Sequence, residues 1–314
     1  MIQRTEIMEK GHLAKVPLLQ ILNTEIVITG HLLKIARIKD EEWLDNRPAI
    51  DIASIIRNLA QEKYRPDIFT FSQSFLDPKP KYPYKTEWDN IAAIPISTPE
   101  DWLKSTGRTA RKAVTQSIKN GVQVYEVKYN DDFISQLVPI YNETAVRQGK
   151  HFWHFGKDFE AIKSMNATFM DRSIYLGAYI NGELIGFLKI VYVDNVGRLI
   201  QFLGKIEHRK HRPMNALIAK AVDICFRDGL DYLTYGRFIY GNTRESSLMD
   251  FKRHNGFIKM DFPLYYVPIT TKGRMALQLG MHHGIIGLFP NNFIFWFSSL
   301  RKYFYTVIKV FSKY

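Results

Sequence analysis

Residues 173–192 read SIYLGAYINGELIGFLKIVY, two apolar runs on either side of Asn181-Gly182. An Asn-Gly pair between such runs signals a β-hairpin with a type I′ turn, because both turn positions need positive φ. The spacing predicts strands over 173–180 and 184–192. Downstream, RLIQFLG (198–204) is the next strand, followed by a basic loop, KIEHRKHR (205–212), and by Pro213 at a helix start. Met214, Leu217, Ile218, Ala221, Val222 and Cys225 then repeat at helical spacing, one apolar stripe that faces a sheet. Gly229 ends that helix. DYLTYG (231–236) is a strand, a helix runs from about Glu245 to His254, and FIKMDFPLYYVPI (257–269) is a long last strand.

Upstream, VQVYEV (122–127) is a strand. Asp131 opens a helix with Phe133, Leu137, Ile140 and Tyr141 on one side, and Asp158 begins another that reaches about Met170. The order over 122–268 is therefore β-α-α-β-β-β-α-β-α-β. Before it lie a helix capped by Ser97 or Thr98 with Pro99 at its first position, and a basic helix, GRTARKAVTQSIKNG (107–121), closed by Asn120-Gly121. Residues 24–42 hold two strand-like runs, EIVI and HLLKIARI. IDIASIIRNLAQE (50–62) spaces its apolar residues like a helix, and DIFTFSQ (67–73) and NIAAIPI (90–96) are strand-like.

The 314 residues suit one large or two ordinary domains, and a 46% hydrophobic share supplies a sizeable core. The single cysteine, Cys225, excludes a disulfide framework and reads as a small core residue. The N-terminus lacks a signal-peptide h-region, and no run of about 18 uncharged apolar residues occurs, so a cytoplasmic location is expected. Net charge is +12, which favours anionic partners. Beyond Asp261 the chain has Lys272, Arg274, Arg301, Lys302, Lys309 and Lys313 and no acid, half of that net charge. In NNFIFWFSSLRKYFYTVIKVFSKY (291–314), Ser299, Lys302, Thr306, Lys309 and Lys313 form one polar stripe. The 285–314 segment thus reads as an amphipathic helix at an anionic membrane surface, peripheral on the inner face, or as a helix packed on the domain.

Three stretches resemble one family. RTARKAVTQSIKNGVQV (108–124) is similar to the basic helix-Gly-strand segment of Fem-type peptidyltransferases and their acyl-CoA relatives, a group that includes BioF2-like acetyltransferases. LGAYINGELIGFLKIVY (176–192) resembles the central hairpin of a GNAT domain, and LMDFKRHNGF (248–257) the FK-x-x-x-G close of Fem-type domains. The resemblance spans about residues 20–268. It implies an α+β fold, a GNAT-like mixed sheet flanked by helices, in two GNAT-like halves with the first degenerate. We expect that half over 1–97, the acyltransferase domain over 98–270 and the basic tail over 271–314. It implies an acyltransferase that moves an acyl group from acyl-CoA (acetyl-CoA) to an amine of a small-molecule or cell-envelope acceptor. The alternatives are aminoacyl-tRNA as donor, which the net charge permits, and a non-catalytic GNAT scaffold binding membrane or nucleic acid.

Residue by residue, Lys252 matches the Fem-type lysine and would stabilise an oxyanion; otherwise it is a solvated helix lysine. Tyr235 and Tyr240 flank a strand end where an acid could reprotonate the leaving group, or they pack as aromatics. Asp250 and His254, four apart on one helix, suit a base and its orienter, or a surface pair. The GNAT pyrophosphate loop maps to Lys210-His211-Arg212-Pro213-Met214-Asn215-Ala216, with Pro213 and Asn215 at the glycine positions. Arg209, Lys210, Arg212 and Asn215 are therefore the candidate donor-phosphate residues, with Arg108, Arg111, Lys112 and Lys119 extending a cationic groove. Asn242, Arg244 and Glu245 suit acceptor reading or helix capping. His151 and His154 have no third ligand at clear spacing, so no metal is expected, and their segment suits an acceptor wall or plain packing.

Overall fold

A computed structural model describes residues 3–9, 12–40, 43–44, 51–147, 150–241 and 246–283. The expectations for Asn242, Arg244, Glu245 and the 285–314 tail lie outside these residues. The first half supplies β1 (Arg4–Glu9), β2 (His12–Ile21), β3 (Thr24–Thr29), β4 (Ile35–Ile38), α1 (Ile52–Gln61), β5 (Ile68–Ser72) and β6 (Lys85–Pro95). The second begins with α2 (Pro99–Ser105), α3 (Arg108–Lys119), β7 (Gln123–Val127), α4 (Asp131–Tyr141), the short hairpin β8 (Val146–Arg147) and β9 (Lys150–His151), and α5 (Phe159–Asn166). It continues through β10 (Ser173–Ile180), β11 (Glu183–Val193), β12 (Val196–Gly204), α6 (Pro213–Arg227), β13 (Tyr232–Thr234), α7 (Ser247–His254), β14 (Ile258–Pro268) and α8 (Thr271–Gln278).

Twelve of these strands form one sheet in the order β1-β2-β3-β4-β5-β14-β6-β13-β12-β11-β10-β7. Its two parallel pairs are β4–β5 and β12–β13, each joined by a crossover helix, α1 and α6. Read inward from either edge, the sheet repeats itself: four antiparallel-linked strands, a parallel partner, then a strand from the other half. β14 pairs with β5, and β6 pairs with β13, so the halves exchange their last strands. The first half is the reduced copy. Its two edge strands follow each other directly, whereas α4 and α5 separate β7 from β10.

Local chemistry explains the elements. Asn181 and Gly182 both take positive φ (49° and 82°), which closes β10–β11 as the two-residue turn predicts. Thr98 caps α2 by accepting from the Asp101 amide, with Pro99 at the first position. The α6 stripe is buried at Leu217, Ile218, Ala221, Val222 and Cys225. Burial pushes the Cys225 thiol up to about 12, as befits a core residue.

Two expectations need correction. β4 starts at Ile35, because residues 31–33 form bends. α5 stops at Asn166, short of Met170. There the buried Lys189 of β11 donates to the Asn166 carbonyl (2.9 Å), the Thr168 hydroxyl (3.1 Å) and the Thr168 carbonyl. A cation at a helix C-terminus satisfies carbonyls that further helix would otherwise engage. Among the described residues, no helix is long and apolar enough to cross a membrane.

Asp67 pins the first half to the end of β14. Its carboxylate accepts from the Lys34 amide (2.9 Å) and the Thr270 hydroxyl (2.8 Å), and Lys272 lies 3.4 Å away. Burial alone would raise its pKa, but these three partners hold it below the ordinary value. Its stabilisation is therefore present above the ordinary carboxylate range and lost as pH falls through it. Asp67→Ala is expected to cost about 2 kcal/mol at pH 7, read by urea unfolding, and much less at pH 3.

Candidate active site

β12 pairs with β13 only through Val196–Arg198 and Tyr232–Thr234. Two residues on, a bulge at Ile200 breaks the β11 register, with Ile190 opposite Leu199 and Lys189 opposite Gln201. The bulge bends β12 away, and β13 leaves along β6, where Tyr235 donates its amide to the Ala92 carbonyl at 2.9 Å. The two parallel strands thus open into a wedge, the place where a crossover sheet binds ligands.

Aromatic rings occupy this wedge. Phe202 of β12 meets Tyr235 edge-on, with centroids 5.3 Å apart, and Phe251 of α7 at 5.9 Å; Phe257 lies 6.1 Å from Tyr235. Burial raises the Tyr235 pKa. Lys252 of α7 is fully buried beneath them. Its ammonium donates to the carbonyls of Tyr235 and Arg237, both at 2.6 Å, and sits 4.4 Å from the Tyr235 ring and 5.0 Å from the Tyr240 ring. Burial lowers its pKa to about 8. It is neither solvated nor facing open space, and it fixes the 235–240 loop. Tyr240 is the exposed member, 46% accessible.

The helix pair expected from Asp250 and His254 takes another form. Asp250 pairs with Arg253 at 3.0 Å, and His254 stands beside Gly107 at the start of α3. Asn215 also departs from a loop role. Its amide donates to the Asn255 side chain at 2.9 Å, while the Asn255 carbonyl accepts from Trp102 at 3.2 Å, which ties α6, α7 and α2 together.

The loop from β12 to α6 carries a feature that sequence reading missed. The Ile206 and Glu207 amides donate to the two oxygens of Glu143, at 2.7 and 2.9 Å. Consecutive amides form an anion-binding concavity, and here an internal carboxylate fills it. Arg147 holds Glu143 at 3.1 Å and also donates to the carbonyls of Gly204 (2.8 Å) and Ile140 (2.7 Å). The signal available in sequence was a Glu four residues before an Arg, just past a helix end. The 151–155 segment lies beside it: His154 packs on Phe152 (5.4 Å) and Tyr141 (6.0 Å), and His151 on Trp153 (4.8 Å).

Farther along the loop, Arg209, Lys210 and Arg212 are exposed and have no carboxylate partner among the described residues. Arg212 takes the left-handed conformation (φ 61°) that usually falls to glycine. Asn120 donates to the Lys210 carbonyl at 3.4 Å, so the C-terminal end of α3 adjoins this turn. α3 exposes Arg108, Arg111, Lys112 and Lys119, and Arg111 donates only to the carbonyls of Lys104 and Thr106. Among the described residues, six cations without a carboxylate partner and one carbonyl-bound arginine thus lie exposed on α3 and on the turn that adjoins its C-terminal end.

The two-half sheet resembles several solved structures in fold. The structure of FemX matches with a TM-score of 0.57 at 9% identity, covering 89% of this chain and 90% of that one. L-PGS from Bacillus licheniformis matches at 0.54 and 13% identity over 84% and 88%. The C-terminal domain of a putative lysylphosphatidylglycerol synthetase from Agrobacterium fabrum matches at 0.53 and 12% identity over 84% and 87%. At such identities the likeness is one of fold. No protein-family model matches the chain, and no curated protein matches it by sequence.

Proposed function

We propose that this chain is an acyltransferase whose donor is an aminoacyl ester carried on tRNA, and whose acceptor is an amine of a small molecule or cell-envelope precursor. The carrying observation is Glu143. Its carboxylate fills the Ile206 and Glu207 amides, upstream of the 210–216 turn, so these two donors are taken and a fixed negative charge lies on the approach to that turn. The Phe202–Tyr235 contact fills the wedge that a pantetheine arm would thread. The basic surface along α3 and 209–212 suits a polyanion larger than a dinucleotide. One of the similar folds also bears a name, putative lysylphosphatidylglycerol synthetase, that describes an aminoacyl product.

In this reading the acceptor amine attacks the ester carbonyl, and the departing ribose hydroxyl takes up a proton. Tyr240 is the candidate acid, and Lys252 positions it through the loop carbonyls. Asp250 and His254 line the neighbouring helix, outside that contact.

The second reading keeps acyl-CoA as donor. Arg209, Lys210 and Arg212 beside the α6 N-terminus favour it, since their side chains could grip phosphates without loop amides. Calorimetry with acetyl-CoA and a longer acyl-CoA, run beside a transfer assay with aminoacyl-tRNA, separates the two. We expect transfer from tRNA and no micromolar thioester binding. Micromolar acyl-CoA binding that Lys210→Ala/Arg212→Ala abolishes, without transfer from tRNA, would overturn the tRNA donor.

A further inference from the structure

Away from the wedge, two histidines and a glutamate converge on one point. His282 Nε2 lies 2.8 Å from Glu87 Oε1, and His283 Nε2 lies 3.1 Å from Glu87 Oε2. The two imidazole rings are 4.0 Å apart, and the three ligand atoms all fall within 4.8 Å of one another. Glu87 belongs to β6, one of the two strands exchanged between the halves. The histidines belong to the single 3-10 turn that follows α8. From this geometry we infer a binding site for one borderline divalent metal ion of the zinc type, held by Glu87, His282 and His283.

A tetrahedral ion with bonds near 2.0–2.1 Å separates its ligand atoms by about 3.3 Å. The two Glu87–histidine spacings, 2.8 and 3.1 Å, are close to that, and the two histidine ligand atoms lie within 4.8 Å of each other, so side-chain adjustment admits the ion. Two imidazoles and one carboxylate are a ligand set suited to zinc, and three protein ligands leave a position for water. His282 is buried and its ring is oriented by Tyr266, with centroids 4.6 Å apart; among the described residues its Nδ1 has no partner, and Nε2 faces Glu87. His283 is half exposed, which leaves the open position on the solvent side. Lys85 is the opposing group. It lies 3.8 Å from Glu87 Oε1, but its hydrogen bond goes to the Leu277 carbonyl at 3.0 Å, away from the carboxylate. The other His/carboxylate cluster, Glu183, Glu207 and His208, is a weaker candidate because Lys205 already pairs with both of its acids. The ion would staple the segment after α8 to the central strand.

The test uses the full chain, dialysed against a chelator and titrated with Zn²⁺ by calorimetry and with Co²⁺ by visible absorption. One equivalent binding in the micromolar range or tighter is expected, with the d–d bands of a tetrahedral cobalt site. His283→Ala, an exposed position that leaves the fold intact, weakens binding at least tenfold; Glu87→Gln does the same. His208→Ala, in the other cluster, leaves it unchanged. The inference is overturned if the parent chain takes up neither ion, or if binding survives His283→Ala and is lost in His208→Ala.

Discussion

Lys252→Met is expected to lower stability by about 3 kcal/mol and to reduce transfer on the order of 100-fold at temperatures where the variant stays folded. Methionine keeps the length of the side chain, so the change removes charge and donors and little volume. Two part-buried carbonyls, of Tyr235 and Arg237, lose the ammonium that donates to them. Each orphaned acceptor costs about 1–3 kcal/mol, offset in part because a buried ammonium no longer has to be desolvated. The activity loss follows from the loop, since Tyr240 is carried on it. Lys252→Arg should not rescue, because a planar guanidinium cannot reproduce two converging bonds from one nitrogen. The pH dependence gives a signature that a merely cavity-forming change would not. Burial lowers the Lys252 pKa to about 8, so between pH 8 and the ordinary lysine value the unfolded chain binds more protons than the folded one. Stability must therefore rise with pH from about 8 towards 9.5. Lys189, also lowered to about 8 by burial, contributes the same sign. Above about 10 the raised tyrosines reverse the trend, because the folded state then retains the extra protons. Urea unfolding at pH 7.5, 8.5 and 9.5 should show the rise in the parent chain and roughly half of it in Lys252→Met. Equal slopes in both would mean that Lys252 is not held as a buried cation.

The fold was legible where local chemistry and burial agree. Asn181-Gly182 fixes its hairpin by turn geometry, and the α6 stripe fixes a helix by period; both follow from a few adjacent residues. β1 and β2 escaped reading. Their residues, RTEIME and HLAKVPLLQI, interrupt alternation with charges, and Pro17 reads as a strand breaker. The structure accommodates Pro17 because it sits opposite Arg4 at the end of the β1–β2 ladder, one residue before Leu18 begins pairing with β3. α8 escaped for a related reason. Gly273 lies in its first turn and lowers helix propensity, yet a Cβ there would fall 1.9 Å from the Asp67 carbonyl. That close approach is a tertiary requirement, invisible to a scan along the chain.

The site divides in the same way. The FK-x-x-x-G match located Lys252 but not its burial, because the carbonyls that receive it lie 15 and 17 residues upstream. Asn215 aligned with a loop glycine, while its real partner is 40 residues away. Glu143 was missed altogether, since its amide partners are 63 and 64 residues distant and the one local signal, an Arg four residues on, suits an ordinary ion pair equally well. Spacing of four suggested Asp250 with His254, whereas Arg253, one residue nearer, supplies a stronger cation. Sequence reading thus found the residues of α6, α7 and the basic loop, and the long-range pairing decided which of them position and which face solvent.

The largest binding effect is expected from Arg209→Gln/Lys210→Gln/Arg212→Gln. Donor affinity should fall on the order of 100-fold near 0.1 M salt, and the slope of log K against log salt should shrink by about 2–3, since each phosphate contact contributes about 0.7–0.9. Stability should stay within about 0.5 kcal/mol, because none of the three side chains has a carboxylate partner among the described residues and all are exposed. Gln at position 212 bears the same left-handed backbone as Arg, so the comparison is not confounded by strain. The informative arm is α3. Asn120 ties its end to the Lys210 carbonyl, so a polyanion that crosses 209–212 runs on past Lys119 and Lys112. Lys112→Gln/Lys119→Gln should therefore reduce the salt slope again, by about 1–2, if the donor is a nucleic acid. A dinucleotide-sized thioester reaches only the loop, and its affinity would ignore α3. Fluorescence anisotropy with labelled tRNA across a salt series reads both variants. Loss in the loop variant with no change in the α3 variant would shift the donor towards acyl-CoA, whereas loss in both assigns the whole basic surface to one extended anion.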